Sequence, residues 1–281
     1  MPVRRSHESD VPIICEFVKR LADYEKLLDE VRFTESSYRR YLFDDPPKFR
    51  PEVMIAESSD REATGFALFI QISPSAIHLE DLFVDPQMRG KGMGISLLSR
   101  LAKEAVSRGV SELQWNCLSW NQPSIDFYSS LGATQVPNRI AYRITGDSLT
   151  KTVDDDWDAS RLAIIEEPNG KCVPIKVTHT PTDVTLEYSL SFTTFNGTPV
   201  IYVTDVIPAD SEPPDELISY LIREAQDKGY SRIDVCLDTV TQAGTARKLI
   251  ERFGAVEMHG WIPFRLSGDS LKELALRANS V

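Results

Sequence analysis

The stretch Val84-Asp85-Pro86-Gln87-Met88-Arg89-Gly90-Lys91-Gly92-Met93-Gly94 decides how this chain folds. It follows an apolar run of strand character, residues 76–84, and it opens a segment with Leu97, Leu98, Leu101 and Ala105 at helical spacing. Glycines at alternate positions (Gly90, Gly92, Gly94) let successive backbone N–H groups converge where the helix dipole adds positive potential. With Arg89 and Lys91 beside them, residues 89–95 form a nest suited to a pyrophosphate. The loop is not a Walker A motif, since no Gly-Lys-Ser/Thr follows it. Nor is it the dinucleotide pattern Gly-x-Gly-x-x-Gly, because Ile95 stands where the last glycine belongs.

Elements alternate outward from this loop. Ile14, Phe17, Val18 and Leu21 lie at helical spacing after Ser9-Asp10, which can cap, with Pro12 in the first turn. A second helix is expected from Thr34, stopped by Pro46-Pro47. Residues 53–57, 65–72 and 76–84 read as strands, 92–108 as a helix and 112–118 as a strand. Asn121 caps a short helix ended by Gly132, and a last strand falls near 141–144. The later part of this order recurs. Gly146-Asp147-Ser148-Leu149 returns 122 residues on as Gly268-Asp269-Ser270-Leu271, and Leu131-Gly132-Ala133 is answered at the same offset by Phe253-Gly254-Ala255. Glu104-Ala105 with Arg108-Gly109 is answered 120 residues on by Glu224-Ala225 with Lys228-Gly229. Strands at 200–207 and 231–237 and helices at 215–227 and 245–252 complete the copy. The acidic stretch 152–158 reads as the linker between domains 1–150 and 151–281.

At 281 residues the chain accommodates two domains of ordinary size. With 42% hydrophobic and 26% charged residues it is a globular protein, which excludes disorder and a collagen-like or disulfide scaffold. Its 42 acidic against 31 basic residues give a net charge of −11, which repels nucleic acid and anionic membranes and favours a cationic partner. The four cysteines are dispersed and read as reduced core thiols, Cys117 among them. The four histidines have no ligand spacing, so no metal is expected. No apolar run approaches the roughly 20 residues that cross a bilayer, and a cytoplasmic location is expected.

Here the residues carry a family likeness. Arg89-x-x-Gly92-x-Gly94 resembles the acetyl-CoA loop of the GNAT acyltransferases. The flanking runs, His78-Leu79-Glu80-Asp81-Leu82-Phe83-Val84 and Trp120-Asn121-Gln122-Pro123-Ser124-Ile125-Asp126-Phe127-Tyr128, resemble the spermidine/spermine N-acetyltransferase family, which includes thialysine acetyltransferases. Leu21-Ala22-Asp23-Tyr24-Glu25 fits that family's first helix, and the likeness spans roughly residues 3–150. It implies an α/β GNAT fold, a mixed and mostly antiparallel sheet flanked by helices, in tandem with a second, degenerate GNAT-like domain. It further implies acetyl-CoA as co-substrate, with backbone groups of Leu82, Phe83 and Val84 holding the pantetheine arm. Arg89, Gly90, Lys91, Gly92, Met93, Gly94 and Ile95 would cradle the pyrophosphate, while Asn121 and Ser124 would face the far arm. Tyr128 would be the general acid, Glu80 would deprotonate or orient the amine, and Tyr24 and Glu25 would line the amine site.

Elementary chemistry suits these roles. An alkylammonium with a pKa near 10 attacks only after losing a proton, which a carboxylate can take. A phenol stays protonated at neutral pH and can donate to a departing thiolate. On a regular strand Glu80 and Asp81 would face opposite sides. The family's longer segment before Leu-Glu-Asp is replaced here by the short Gln71-Ile72-Ser73-Pro74-Ser75-Ala76-Ile77, which leaves the amine open. A small cationic amine is the leading expectation; a protein lysine or N-terminal acetyltransferase and a non-catalytic CoA-binding module are the alternatives. In the second half Thr204 stands for Glu80 and Ile250 for Tyr128. The loop there is Ala209-Asp210-Ser211-Glu212-Pro213-Pro214, with no glycine and with two carboxylates. That half is expected not to catalyse, and to make the chain either a monomer with an internal pseudo-dimer or a homodimer.

Overall fold

The computed structural model describes residues 2–44, 50–150, 158–166 and 174–278; the expected linker, apart from Asp158, and the stop at Pro46-Pro47 lie outside them, as does Cys172. In chain order the elements are β1 (Val3–Arg5), α1 (Val11–Glu25), α2 (Glu35–Arg39), β2 (Pro51–Glu57), β3 (Ala63–Gln71), β4 (Ala76–Val84), α3 (Met93–Ser107), β5 (Glu112–Leu118), α4 (Gln122–Ser130), β6 (Thr134–Gln135), β7 (Arg139–Thr145) and α5 (Asp147–Thr150). Then come β8 (Leu162–Ile165), β9 (Ile175–His179), β10 (Val184–Thr193), β11 (Thr198–Ile207), α6 (Asp215–Lys228), β12 (Arg232–Asp238), α7 (Ala243–Phe253), β13 (Val256–Glu257), β14 (Trp261–Ser267) and α8 (Gly268–Arg277). No helix among the described residues is long and apolar enough to cross a membrane.

The strands form two sheets, ordered β1-β2-β3-β4-β5-β14-β6 and β13-β7-β12-β11-β10-β9-β8. Each is mixed: β4 and β5 run parallel in the first, β11 and β12 in the second, while the other registers observed are antiparallel. The expected boundary near residue 150 does not divide the compact units. One comprises Met1–Gln135, Phe192–Thr198 and Ile262–Val281, the other Val136–Ser191 and Pro199–Trp261. The strand expected to close the first half, β7, lies in the second sheet beside β12, and its counterpart β14 lies in the first sheet beside β5. The connectors explain this exchange. Only residues 136–138 separate β6 from β7, and Pro137 holds the residue before it extended. The link from β13 to β14 is equally short, residues 258–260, and short hinges favour opening out over folding back.

In the first unit the sheet is covered on both faces. On one, Leu97, Leu98 and Leu101 of α3 pack with Ile77, Leu79, Leu113 and Trp115, and with Phe264, Leu266, Leu271 and Leu274 of β14 and α8. On the other, Phe17 of α1 stacks on Phe66 at 5.9 Å and lies 5.4 Å from Phe83. The cap of α1 departs from expectation. Asp10 makes no side-chain bond to the helix; its carboxylate accepts from Arg4 at 2.6 Å and from the His7 N–H at 2.7 Å. Asn121 caps α4 as expected, accepting from the N–H of Ser124, and Thr34, where the second helix was expected to start, caps α2 by accepting from the N–H of Ser37.

The first unit therefore depends on β14 and α8. A chain truncated after Thr150 loses Phe264, Leu266, Leu271 and Leu274, each worth about 2–5 kcal/mol on deletion from a core. It should show no cooperative unfolding transition by circular dichroism, whereas a sharp native-like melt would refute the dependence.

Candidate active site

The site starts at an irregularity in β4. Its pairing with β3 runs Phe69↔Leu79 and then Leu68↔Asp81, so Glu80 is an extra residue, a β-bulge. Side-chain alternation changes there. Ile77 and Leu79 face the α3 side, while beyond the bulge Phe83 faces α1 and the half-buried Leu82 and Val84 lean on the α3 side. The bulge suspends the strict alternation on which the opposite-face expectation for Glu80 and Asp81 rests, and both carboxylates act on the phenol of Tyr38. The bulge also marks where β4 leaves β5. Their parallel pairing runs from Ala76↔Glu112 to His78↔Gln114, and no further β4–β5 pair forms among the described residues. The outer backbone of residues 82–84 thus borders an opening between parallel strands.

The glycine loop follows. Gly90 and Gly92 have φ of +74° and +84°, conformations that favour glycine, and a Cβ on either would meet nothing within 4 Å. Ser96 makes the first-turn bond of α3, to Gly92 O at 2.9 Å, so the N–H groups of Met93, Gly94 and Ile95 lack helical acceptors, and no side chain caps that end. Gly94 is needed for a different reason: its Cβ would stand 3.1 Å from the ring of Phe127. Arg89 folds back, its Nε donating to Val84 O at 3.1 Å and its guanidinium lying 5.0 Å over the Tyr24 ring. The amine of Lys91 lies 3.7 Å from Met88 Sδ.

The carboxylates come from α1 and β4. Glu25 is the last residue of α1, where the helix dipole disfavours negative charge. Burial, and then the charge of Glu80, push the Glu25 carboxyl up to about 7. Glu80 lies 3.3 Å from His78 Nε2. Tyr24 donates to Asn121 Oδ1 at 3.0 Å, which ties α1 to the cap of α4. Tyr128 on α4 is buried against Trp115, Phe127 and Phe264, with centroids at 4.9, 5.4 and 5.6 Å. Burial first, then Cys117, Glu25 and Asp81, push its phenol well up, so it stays a proton donor. Burial and Glu25 raise the Cys117 thiol to about 11, which keeps it protonated rather than nucleophilic at neutral pH.

The residues expected to bind the amine and to carry the chemistry, Tyr24, Glu25, Glu80 and Tyr128, are thus linked in space and charge. Ser124 is tied to them through Asn121. Sequence reasoning missed the Arg20–Asp85 pair at 2.8 Å, which holds α1 to the start of the loop. It also missed Phe264, whose apolar strand pattern does not reveal which sheet it joins. In the second unit the place of the loop is filled by its own charges. Lys248 lies 3.0 Å from Glu212 and 3.4 Å from Asp215, and Arg252 lies 2.6 Å from Asp215, at the N-terminus of α6. No group of three or more His, Cys, Asp or Glu able to hold a metal occurs among the described residues.

Residues 19–133 match the model of the Acetyltransferase (GNAT) family. The chain is 30% identical over 159 residues to a thialysine N-epsilon-acetyltransferase of Sus scrofa, covering 52% of this chain and 94% of that protein. It is 28% identical over 194 residues to an L-ornithine N5-acetyltransferase of Arabidopsis thaliana, covering 52% of this chain and 85% of the relative. Among solved structures, a GCN5-related N-acetyltransferase from Sphaerobacter thermophilus aligns over 95% of both chains with a TM-score of 0.54 at 14% identity, which bears on the fold alone.

The raised Glu25 carboxyl is directly observable. The folded chain holds this proton more tightly than the unfolded one, so Glu25 costs stability as pH rises from the ordinary carboxylate range through about 7. By carbon NMR one glutamate carboxyl should titrate near pH 7, and Glu80→Gln should move it down by removing the neighbouring charge. Ordinary titration of every glutamate would refute the coupling.

Proposed function

Because the chain belongs to the GNAT family of acetyltransferases, we propose that it transfers an acetyl group from acetyl-CoA to a primary amine of a small cationic substrate. A polyamine, thialysine or a lysine analogue fits this description, and attack is direct, in a ternary complex. The observation that carries the reading is the coupling of two carboxylates, Glu25 and Glu80, beside a tyrosine held as a proton donor. The named relatives, which act on thialysine and L-ornithine, support the substrate class.

The loop fits the co-substrate. Left-handed glycines facing open space and three N–H groups without helical acceptors suit a pyrophosphate at residues 89–95. Backbone groups of Leu82, Phe83 and Val84, where β4 has left β5, would pair with the pantetheine arm. Asn121 commits its Oδ1 to Ser124 and Tyr24, so what it offers the far arm is its Nδ2 donor. Bound acetyl-CoA supplies the activated acetyl thioester. The protein's residues do the rest. Glu80 and Glu25 bind the ammonium, and because their mutual repulsion raises their proton affinity the pair can take its proton, leaving the free amine to attack the thioester carbonyl. Tyr128 then gives its proton to the departing sulfur.

The second unit, on this reading, does not catalyse. Thr204 donates to Glu187 O at 3.1 Å where Glu80 would act, Ile250 is exposed, and α6 begins among Glu212 and Asp215. Each sheet is completed from within the chain, so we infer a monomer, to be checked by light scattering.

Free-thiol release from acetyl-CoA, measured with diamines, thialysine, ornithine and a lysine peptide, tests the function; release with the peptide alone would favour the protein-acetyltransferase alternative. Tyr128→Phe should lower turnover by about 10²–10⁴-fold while acetyl-CoA affinity holds; unchanged turnover where chemistry is rate-limiting would leave Tyr128 a packing residue. Calorimetry should count one acetyl-CoA site per chain, abolished by Gly92→Asp. Two equal sites, or unaltered affinity in a folded Gly92→Asp protein, would overturn these assignments.

A further inference from the structure

In the second unit β11 and β12 part as β4 and β5 do in the first. Their parallel pairing runs from Ile201↔Ile233 to Val203↔Val235, and no further β11–β12 pair forms among the described residues. On β12 the buried Ile233, Val235 and Leu237 alternate with Arg232, Asp234, Cys236 and Asp238, which share the other face of the sheet. Register sets Tyr202 of β11 beside Asp234, and Arg139, Ala141 and Arg143 of β7 beside Asp238, Cys236 and Asp234. This face therefore carries a polar row across three strands, all of it within the second unit.

The carboxylates of the row are committed away from Arg139. Asp234 is buried and pairs with Arg143 and with Arg232, each at 2.8 Å. Asp238 lies opposite Arg139 in the register, but its Oδ1 accepts from the N–H groups of Val240 and Thr241, both at 2.9 Å, and so closes the turn after β12. The half-buried side chain of Arg139 reaches over β12 instead, where it hydrogen-bonds the Cys236 thiol and lies in the field of Tyr202 and Asp205 of β11. Asp205 is exposed and turns its Oδ1 to the Val206 N–H at 2.8 Å; no described carboxylate forms an ion pair with Arg139. Tyr202 Oη lies 3.3 Å from Cys236 Sγ. Burial pushes the phenol well above its usual value and the thiol up as well, so at neutral pH both neighbours of the guanidinium are uncharged. A guanidinium thus stands at the strand gap, partly desolvated, with no adjacent anion to offset the cost.

We propose that the gap between β11 and β12 binds a small carboxylate, with the Arg139 guanidinium as its counter-ion and the hydroxyl of Tyr202 and the thiol of Cys236 as neutral donors beside it. The planar fork of a guanidinium matches the two oxygens of a carboxylate. One positive charge with Asp205 and Asp238 in the neighbourhood suits a monoanion and disfavours a dianion such as phosphate. Arg139, Cys236 and Thr204 keep partial exposure, which leaves a small solute a way in. The site uses no glycine loop and no acetyl-CoA, so it stands or falls apart from the acetyltransferase reading.

Two measurements on the full chain test it. Sodium acetate should raise the melting temperature of the native protein saturably, beyond sodium chloride at equal ionic strength, as a ligand of the folded state does. Sodium phosphate should act like chloride, and in Arg139→Gln acetate should do so too. Tyr202→Phe, which keeps the ring and removes only the hydroxyl, should weaken the acetate response by about threefold or more, and it carries the test if Arg139→Gln does not fold. The second measurement locates the anion. Peptide mapping should show Cys236 alkylated by iodoacetate relative to iodoacetamide at a ratio about fivefold or more above that of free N-acetylcysteine, because the first reagent carries the carboxylate that Arg139 attracts. Acetate should suppress that excess. Equal responses of the native protein to acetate and chloride, an acetate response that survives in folded Arg139→Gln, or a Cys236 inert to both reagents overturns the site. A phosphate response larger than that to acetate overturns the ligand class.

Discussion

Parallel pairing between β4 and β5 stops at His78, and the candidate site of the first unit is built around that parting. The cause is one extra residue, Glu80, in the pairing of β4 with β3. A bulge bends its strand and strengthens the local twist, which carries the end of β4 away from its neighbour. It also changes which side chains face which layer, so that Phe83 joins Phe17 and Phe66 under α1 while Ile77 and Leu79 stay in the α3 core. The end of β4 feeds the glycine loop, and the loop feeds α3. A shift of the bulge by one residue would move the carboxylates, the open backbone of residues 82–84 and the helix N-terminus together.

Much of this was legible in the sequence, for identifiable reasons. Glycines at alternate positions between a strand and an amphipathic helix have few uses, and Gly90 and Gly92 take up left-handed conformations there. The repeat announced a second copy of the later elements. The exchange of β7 and β14 was hidden, because a strand's periodicity is the same whichever sheet it joins. The bulge at Glu80 was hidden for a related reason: strict alternation is what a bulge breaks. The strands β8, β9 and β10 were overlooked, although β9 carries a signal. Ile175, Val177 and His179 are buried with Lys176 and Thr178 between them, a period of two in a stretch without strong turn residues. The raised Glu25 carboxyl was beyond sequence reasoning, since it needs the burial of a helix end and the nearness of a residue 55 positions away.

Charge organises the site as strongly as shape does. Glu25 and Glu80 share a buried region, and the cost of charging both raises the proton affinity of Glu25. On the proposed reading an empty site relieves that strain by keeping a proton, and a bound dication would relieve it by supplying positive charge. Cation binding and proton release are therefore linked, and the carboxylates that attract the ammonium are, on the proposed reading, the groups that make it nucleophilic. Tyr128 sits in the same field, which opposes loss of its proton, so the phenol is held in the protonated form that the proposed mechanism requires.

The second half bears unequally on these arrangements. At the N-terminus of α6, Glu212 and Asp215 offer the helix dipole the negative charge that a phosphate would otherwise bring, and Lys248 and Arg252 neutralise them. The charges at that end are thus balanced by the unit's own side chains. The strand β14 has no such freedom. Phe264 lies parallel to Trp115 at 6.0 Å and 5.6 Å from Tyr128, so its volume fixes the ring that the proposed mechanism uses as an acid. Gly132, at the end of α4, would place a Cβ 2.6 Å from Ser270 Oγ, so even the helix after β14 is fitted closely to the rest of the first unit. A half whose loop before α6 carries no glycine is thus still held to its fold, because its last strand and helix are part of the first unit's core.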